Sequence, residues 1–381
     1  MGLPLGLAFA DRGLRVTLFD INPVAVARVS SGSLPFDEPG AVGVLARVVG
    51  NTLDATTDPA CVADAEHVII VVGTPIDEHL NPVPQAVPTA VAAVADHLRD
   101  GQLLVLRSTL YPGVTAMVER LVASLGKDVD VAFCPERIAE GKAMTELFEL
   151  PQIVSARTDV AMDRSAKLFR NLTSQVVPLV PEEAELAKLF TNTWRYIRFA
   201  IANQLFMIAN DYGLDFERIR GAMAFDYPRA ADLPRAGFAA GPCLLKDTMQ
   251  LAAFNNNNFT LGHAAMMVNE GLPLYLVHRM EQRFDLATMT VGILGMGFKA
   301  GSDDPRDSLS YKLKRILKFK AAGVLTTDAH VATDSDLVPL DEVLERADVL
   351  VIGTPHTAYA GLKPRQPIVD IWDLYGNGVA V

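Results

Sequence analysis

The stretch MGLPLGLAFADRGLRVTLFDIN (residues 1–22) indicates how the N-terminal part of this chain folds. Residues 5–12 carry apolar side chains at helical spacing, and Gly13 follows them, as is common just after a helix end. Residues 14–19 are mostly apolar and lead to Asp20, a pattern typical of a short buried strand. A helix, a strand and an acid at the strand end form the second half of a dinucleotide-binding βαβ unit.

Composition limits the classes of protein to which the chain can belong. Its 381 residues predict two or three domains, and the net charge of −11 argues against nucleic acid as a partner. Anionic small molecules stay open as ligands. The three cysteines (Cys61, Cys134 and Cys243) cannot build a disulfide framework, which favours a cytoplasmic location. No uncharged apolar run of about 18 residues is present, so we expect no transmembrane helix and no membrane partner.

Three further apolar runs, separated by helical patterns, predict a parallel sheet covered on both faces. They are HVIIVVGTP, QLLVLRST and DVDVAFCPE, which begin at residues 67, 102 and 128. Ligands of such sheets bind at the carboxyl ends of the strands. Because Asp20, Thr74, Thr109 and Glu136 lie at predicted strand ends, we expect a ligand site near them.

Residues 182–212 form one helical pattern without an internal Gly or Pro. A helix of about 30 residues spans about 45 Å, so we interpret it as a spine between domains or as half of a dimer interface. A second α/β region begins at residue 290. The predicted fold is therefore α/β, with two Rossmann-like parallel-sheet domains (residues 1–175 and 283–381) joined by a long-helix central domain (residues 176–282).

The segment GFAAGPCLLKDTMQLA (residues 237–252) contains the sharpest chemical signal in the sequence. Pro242 suits the first position of a helix, which would put Cys243 in the first turn. There the helix dipole and the N–H groups favour a thiolate. Asp247 shares a helix face with Cys243 at i,i+4, and Lys246 is nearby. A lone cysteine is more often a buried structural residue, but these neighbours favour a nucleophile, whereas the other two cysteines are interpreted as structural.

Two weaker patterns involve polar side chains. Lys188, Asn192 and Arg195 fall at i, i+4 and i+7 of the long helical pattern. Such a stripe is ordinarily a solvated face, although a Lys and an Asn are also the donors that hold an oxyanion. Glu136 and Glu140 are spaced one helical turn apart after a strand end, which fits either an acid/base pair or two surface carboxylates.

A second glycine turn lies in GMGFKAGSDDPRDS (residues 295–308), with Lys299 and Arg306 close by. Its pattern is G-x-G-x-x-A, and Asp328 stands at the end of the next predicted strand. On the residues alone this fits a second dinucleotide site, although so short a glycine motif is a weak signal.

Together these ordered motifs resemble one family over nearly the whole chain, the UDP-glucose/GDP-mannose dehydrogenases. Members oxidise UDP-glucose, UDP-N-acetylglucosamine, UDP-N-acetylmannosamine or GDP-mannose to uronic acids. The family's STVxPGT motif appears as STLYPGVT at residues 108–115. The resemblance implies NAD as the cofactor, a last domain that binds UDP rather than a second NAD, and a homodimer paired through the helix from Leu186 to Tyr212.

The same resemblance implies roles for particular residues, and no metal. The catalytic residues would be Cys243, Lys188, Asn192, Asp247, Glu140 and Thr109. NAD contacts would come from Gly2, Asp20, Thr74, Thr109, Glu140, Lys246 and Arg306. Substrate contacts would come from Glu136, Lys188, Asn192, Arg229 and Lys299, with Arg229 supplied in some members by the partner subunit.

The chemistry explains why these residue types are needed. Oxidising a primary alcohol to a carboxylate takes two hydride transfers, and a cysteine thiolate can hold the intermediate aldehyde as a thiohemiacetal that is oxidised to a thioester. Lys188 and Asn192 would stabilise the oxyanions, and a water assisted by Asp247 or Glu140 would hydrolyse the thioester. Asp20 favours NAD over NADP because an acid accepts from a ribose hydroxyl and repels a phosphate.

The substrate and the reaction leave alternatives open. UDP-N-acetylhexosamines or UDP-glucose are favoured over GDP-mannose. One competing interpretation is an NAD-dependent hydroxyacid dehydrogenase that performs a single oxidation and needs no cysteine. Another is an inactive truncated homologue that binds UDP-sugar through its last domain.

The N-terminus itself departs from the family pattern. The family fingerprint is a strand followed by Gly-x-Gly-x-x-Gly-Leu-Pro-Leu, of which this chain has the last four residues, so Gly2 matches the third glycine. Without the first strand we expect a gap between neighbouring strands, weak NAD binding and low stability. A start site set too far downstream is favoured over a degenerate protein, and roughly ten more N-terminal residues would restore both properties.

Overall fold

The structure is a computed structural model that describes residues 1–376. The chain divides into two compact units, Met1–Thr191 (unit 1) and Asn192–Val381 (unit 2). The 31-residue helix α8 (Pro181–Asp211) crosses this division. Its length confirms the long helix that the sequence predicts. Over residues 1–376, no helix combines the length and apolar character that crossing a membrane requires.

Unit 1 alternates helices and strands, as the sequence predicts. Its strands are β1 (Val16–Phe19), β2 (Leu53–Thr56), β3 (His67–Ile70), β4 (Leu103–Leu106), β5 (Asp130–Phe133), β6 (Gln152–Ala156) and β7 (Val176–Leu179). Its helices, besides the start of α8, are α1 (Gly2–Asp11), α2 (Pro23–Ser30), α3 (Ala41–Val48), α4 (Ala86–Ala93), α5 (Val114–Ser124), α6 (Ala143–Glu149) and α7 (Asp159–Phe169).

The strands of unit 1 form two separate sheets. Strands β1 and β2 pair with each other in parallel, and the other five form a sheet in the order β3-β4-β5-β6-β7. Within the described residues, β1 and β3 do not pair with each other. The prediction of a wholly parallel sheet is wrong for one pair, because β5 and β6 run antiparallel. Strand β7 pairs with β6, so the five-stranded sheet extends beyond the predicted domain boundary at residue 175.

Helix α1 is tightly packed within unit 1. It ends at Asp11, and Gly13 has the positive φ of +86° expected just after a helix. A Cβ atom on Gly6 would lie 2.7 Å from Leu18 Cδ2, so a larger residue there would require the Leu18 side chain to shift. A Cβ on Gly2 would meet nothing closer than 3.7 Å. Gly6 thus faces β1, whereas the nearest neighbour of Gly2 is Val71, just after β3.

Unit 2 combines helices with a single four-stranded sheet over the described residues. Its helices are the rest of α8, α9 (Phe216–Ala224), α10 (Leu244–Phe254), α11 (Thr260–Arg283), α12 (Leu309–Leu317) and α13 (Leu340–Arg346). Its strands are β8 (Thr290–Leu294), β9 (Gly323–Thr327), β10 (Val349–Ile352) and β11 (Ile368–Val369).

The sheet of unit 2 is parallel, with the order β11-β10-β8-β9. The chain moves from β8 to β9 on one side and then to β10 on the other. The carboxyl ends of β8 and β10 therefore flank a topological switch point, where open α/β sheets bind their ligands. The glycine turn of residues 295–302 begins there, directly after β8.

Candidate active site

Cys243 lies at the N-terminus of α10. Its side chain is exposed, and it is the N-cap residue, since the helix begins at Leu244 rather than at Pro242 as predicted. The preceding Gly241 has φ of +98°, and a Cβ there would lie 2.5 Å from the Phe298 ring. Glycine is therefore required for the turn that presents the thiol. An exposed thiol at a helix N-terminus fits the predicted nucleophile.

Asp247 lies one turn along α10 from Cys243, and its side chain is fully buried. Asn192 Nδ2 on α8 donates a hydrogen bond of 2.6 Å to Asp247 Oδ2, and Lys246 Nζ lies 2.9 Å from Oδ1. The buried charge is thus compensated by a cation and an amide. The structure brings these three predicted residues together. Lys188 is half-buried, one helical turn before Asn192 on α8, and Arg195 is exposed.

Two buried asparagines, which the sequence did not single out, hold the segment that leads to Cys243. Asn203 Oδ1 accepts from the Gly237 N–H at 2.9 Å, and Asn203 Nδ2 donates to Asn269 Oδ1 at 2.9 Å. Asn269 Nδ2 in turn donates to the Tyr196 carbonyl. This chain of hydrogen bonds joins α8, α11 and the loop before α10. Isolated asparagines within apolar helical patterns were its only sequence signal.

Glu136 and Glu140 lie in the loop between β5 and α6. The helical spacing predicted for them is wrong, because residues 134–142 contain no helix. Glu136 is buried, and its Oε2 lies 2.5 Å from Arg107 Nη2. Its Oε1 accepts from the backbone N–H groups of Arg137 and Ile138. Both oxygens of Glu136 are engaged, Oε2 by Arg107 after β4 and Oε1 by the backbone of the loop, so this geometry does not support an acid/base pair with Glu140.

Two other carboxylates, the buried Glu38 and the half-buried Glu146, hold the backbone around the half-buried Glu140. Glu38 accepts from the N–H groups of Gly141 at 3.0 Å and Ala143 at 2.8 Å. Glu146 accepts from the Ala139 N–H at 2.6 Å. The loop that carries Glu140 is therefore fixed on both sides of this residue. A glutamate as buried as Glu38 could not be recognised from the sequence, because its partners are about a hundred residues away.

Thr74 and Thr109 follow β3 and β4, and Ser108 ties the two strand ends together. The Ser108 hydroxyl donates to the Val72 carbonyl at 2.7 Å and accepts from the Val72 N–H at 2.8 Å. Glu185, near the start of α8, accepts from the Gly113 N–H at 2.7 Å. It also accepts from the Thr115 N–H and hydroxyl and so caps the N-terminus of α5. The threonine loops are thus held by buried polar side chains.

Asp20 is exposed at the carboxyl end of β1. One oxygen accepts from the Asn22 N–H at 2.8 Å, which leaves acceptor capacity on the other. An exposed carboxylate in this position fits a ribose hydroxyl of NAD. Gly2 is the first residue of α1.

In unit 2, Lys299 and Arg306 share the loop that follows β8. Lys299 Nζ lies 5.6 Å from the centre of the Phe298 ring, and the exposed Arg306 pairs with Asp304 at 2.6 Å. Arg229 is exposed and its Nε donates to the Tyr227 hydroxyl at 2.8 Å. Among residues 1–376, no group of His, Cys, Asp and Glu side chains is arranged to hold a metal ion.

Asp328 cannot serve a second dinucleotide site. Its side chain is fully buried, and its oxygens accept from the N–H groups of Met296, Gly297, His330 and Val331. A ribose could not reach the carboxylate. The second dinucleotide site suggested by the glycine motif is therefore wrong.

The fold and these sites first define a class: an α/β protein with two nucleotide-binding sheets and an exposed cysteine at a helix start. Comparison with known proteins narrows it. The NAD binding, central and UDP binding domains of the UDP-glucose/GDP-mannose dehydrogenase family match residues 1–173, 182–271 and 292–377. The chain belongs to this family and is an NAD-dependent oxidoreductase whose substrate is a UDP-sugar.

Individual relatives cover nearly the whole chain. It is 29% identical over 377 residues to UDP-N-acetyl-D-mannosamine dehydrogenase of Pyrococcus horikoshii, spanning 95% of this chain and 89% of the relative. The solved UDP-D-ManNAc dehydrogenase structure from that organism has a TM-score of 0.91, 27% identity and coverage of 98% and 93%. The UDP-glucose dehydrogenase structure of Pyrobaculum islandicum has a TM-score of 0.92, 27% identity and coverage of 100% and 95%.

Proposed function

We propose that this chain oxidises the primary alcohol of a UDP-N-acetylhexosamine, foremost UDP-N-acetylmannosamine, to the carboxylate in two NAD-dependent steps. The observation that carries the proposal is Cys243, exposed at the N-terminus of α10, one turn from the buried Asp247–Asn192 pair. A dehydrogenase that stops at a single oxidation needs no such thiol. The names of the relatives support the choice of sugar over UDP-glucose and GDP-mannose.

The proposed roles follow from the chemistry of a bound aldehyde. Bound NAD would supply the hydride acceptor for each of the two oxidations. The Cys243 thiolate adds to the aldehyde carbon and forms a thiohemiacetal, which keeps the aldehyde on the protein. Loss of the second hydride gives a thioester, and water then cleaves its C–S bond to release the carboxylate and the thiol. Each cycle consumes one alcohol, one water and two NAD.

Asn192 and Lys188 are assigned to the oxyanions of these intermediates. The hydrogen bond to Asp247 fixes the Asn192 amide, whose second N–H can then donate to an oxyanion. Both Asp247 oxygens lie within 3 Å of a donor nitrogen of Asn192 or Lys246. We therefore treat Asp247 as the residue that orients Asn192, and we propose Asp247 or Glu140 as the base that assists the hydrolytic water.

The nucleotides are assigned by unit and loop. In unit 1, NAD would contact Asp20, Thr74 and Thr109, with Gly2 and Glu140 as further contacts. The family resemblance assigns NAD contacts to Lys246 and Arg306 as well. The substrate would contact Glu136, Arg229 and Lys299. Lys299 stands next to the switch point of the unit 2 sheet, which supports UDP binding there. The domains would span residues 1–175, 176–282 and 283–381, with β7 adding the last strand to the sheet of the first domain.

A homodimer paired through the α8 segment from Leu186 to Tyr212 is part of the proposal. Trp194, Ile201 and Ile208 are spaced seven residues apart on α8 and are 57%, 47% and 50% exposed. Large apolar side chains exposed in one stripe are typical of a surface covered by a partner.

Because the mechanism needs a reduced thiol, we place the enzyme in the cytoplasm.

The stoichiometry of NADH formation tests the reaction. Purified protein is given NAD and a limiting amount of UDP-N-acetylmannosamine, UDP-N-acetylglucosamine, UDP-glucose or GDP-mannose. We expect two NADH per sugar consumed with the preferred UDP-sugar, and loss of this activity in Cys243→Ala but not in the matched control Cys61→Ala. One NADH per sugar, with activity retained in Cys243→Ala, would favour the single-oxidation alternative. Tight UDP-sugar binding without NADH formation would favour an inactive homologue.

A further inference from the structure

The loops at the carboxyl ends of β8, β9 and β10 meet at the buried side chain of Asp328. Its Oδ2 accepts from the N–H groups of Met296 at 2.5 Å and Gly297 at 2.9 Å, both in the glycine turn after β8. Its Oδ1 accepts from the N–H groups of His330 at 2.7 Å and Val331 at 2.9 Å. The acid at the end of β9 thus holds protein backbone, not ribose.

His356, in the loop after β10, connects Asp328 to the other side of the glycine turn. Its fully buried ring places Nε2 3.1 Å from Asp328 Oδ2 and Nδ1 3.1 Å from the Gly301 nitrogen. A backbone N–H can only donate, so Nδ1 is the acceptor and Nε2 carries the proton that it donates to Asp328. One neutral tautomer satisfies both neighbours.

The backbone that His356 holds is the turn that carries Lys299. Gly301, two residues later, has φ of +70°, and the Ser302 N–H lies 3.4 Å from the Lys299 carbonyl oxygen, which closes the turn. Packing restrains the imidazole, since its centre lies 4.8 Å from that of His330 and 5.6 Å from that of Tyr359. Movement of His356 would therefore release Gly301 and, with it, the backbone of Lys299.

We infer that His356 is a positioning residue for substrate binding: its Nδ1, oriented by Asp328, fixes Gly301 and so places the Lys299 ammonium for the anionic diphosphate of the UDP-sugar. This inference rests on the proposed role of Lys299 as a substrate contact. It assigns to Asp328, the acid at the end of β9, a structural role that is incompatible with binding a ribose.

Two substitutions separate the two bonds of His356. In His356→Asn the amide oxygen occupies the place of Nδ1 and can still accept from Gly301. In His356→Gln the amide reaches the place of Nε2 and can bond Asp328, but Gly301 loses its acceptor. We expect His356→Gln to weaken UDP binding, measured by calorimetry, about fivefold, the worth of one hydrogen bond. We expect His356→Asn to change it less than twofold, with the KM for NAD unchanged in both.

A double-mutant cycle with Lys299→Met distinguishes positioning from a general loss of structure. If His356 acts through Lys299, His356→Gln has no further effect on UDP affinity in the Lys299→Met background. An equal loss in both backgrounds, alongside a lowered melting temperature, would overturn the inference. If His356→Gln cannot be purified, His356→Asn carries the test, and a fivefold loss of UDP affinity in it would contradict the inference.

The proposed function and this inference fail in different ways. Wild-type protein that does not bind UDP, or whose UDP affinity is unchanged by Lys299→Met, contradicts the role of Lys299. Wild-type protein that binds UDP through Lys299, but is indifferent to His356→Gln, contradicts the role of His356 alone.

Discussion

Arg107 shows how a single buried charge organises the candidate site in unit 1. Its side chain is 1% exposed, and it donates to the Cys134 carbonyl, to Glu136 and to Gln152. Its guanidinium also lies 4.6 Å from the centre of the Phe169 ring. Removing one partner of such a pair would leave an uncompensated buried charge, which typically costs about 3–5 kcal/mol. Arg107 thus supports the loops that follow β4 and β5.

The three cysteines differ in ways that predict their reactivity. Burial raises the pKa of Cys134 to about 12, and burial with the nearby charge of Asp58 raises the pKa of Cys61. Cys243 is exposed at a helix N-terminus, where a thiolate is stabilised. We therefore expect iodoacetamide to alkylate Cys243 first at pH 7.5, with the rate lowered by UDP-sugar, as followed by mass spectrometry of peptides.

The matched controls for this labelling are Cys61→Ala and Cys243→Ala. Cys61→Ala should leave both the labelling rate and the activity unchanged. Faster labelling of Cys61 or Cys134, together with activity in Cys243→Ala, would remove Cys243 from the mechanism.

At the scale of elements, the loops at the carboxyl ends of the strands are held by buried carboxylates. Glu185 caps α5, Glu38 holds the start of α6, and Asp328 holds the turn after β8. Each carboxylate accepts backbone N–H groups that would otherwise lack partners. Loops that carry candidate site residues therefore have defined conformations without belonging to a helix or strand.

The pKa of Asp328 predicts how the stability of the chain depends on pH. Burial alone would raise this pKa, but hydrogen bonds from His356 and from backbone N–H groups outweigh burial and hold it well below the usual range. A carboxyl with a lower pKa in the folded than in the unfolded state stabilises the fold above the unfolded pKa of about 3.9. That contribution is lost as the pH falls below this value.

We therefore expect the free energy of unfolding, measured by urea titration, to decrease less steeply with falling pH in Asp328→Asn than in the wild type below about pH 4. Asp341→Asn, at the exposed start of α13, is the matched control and should follow the wild-type slope. Parallel curves for Asp328→Asn and the wild type would show that Asp328 does not carry this dependence.

At the scale of the whole molecule, exposed apolar surface on α8 is the feature that its own unit leaves unexplained. Trp194, Ile201 and Ile208 lie on a helix whose other faces bury residues such as Tyr196, Ala202 and Phe206. Helix α8 therefore has two apolar faces, and its own unit covers one of them. A second copy of the chain is the proposed cover for the other.

This proposal predicts the effect of charge on α8. Trp194→Glu combined with Ile201→Glu should convert the dimer to a monomer at micromolar concentration, because burying two carboxylates in an apolar interface is costly. Light scattering after size-exclusion chromatography measures the mass. Val160→Glu changes an equally exposed apolar residue of unit 1 and should leave the dimer intact. A wild-type protein that is monomeric and fully active would contradict the pairing.

What the sequence determined by itself was local. The apolar runs predicted β1, β3, β4 and β5 of unit 1 and the sheet of unit 2, but not β2, β6 or β7. The uninterrupted pattern predicted α8, and Gly-Pro-Cys followed by Lys-Asp placed a thiol at a helix start. Periodicity and capping act over a few residues, so they can be recognised from the sequence alone.

Only the tertiary structure decided how distant segments meet. It made β5 and β6 antiparallel, paired Glu136 with Arg107 rather than with Glu140, and placed the close α1–β1 contact at Gly6. It also showed that Asp328, a candidate ribose ligand by sequence, accepts hydrogen bonds from the backbone of the glycine turn after β8. These partners are separated by about 10 to 30 residues or more along the chain, and a buried charge takes whichever partners the packing brings to it, since leaving it unpaired costs more than any local preference can supply.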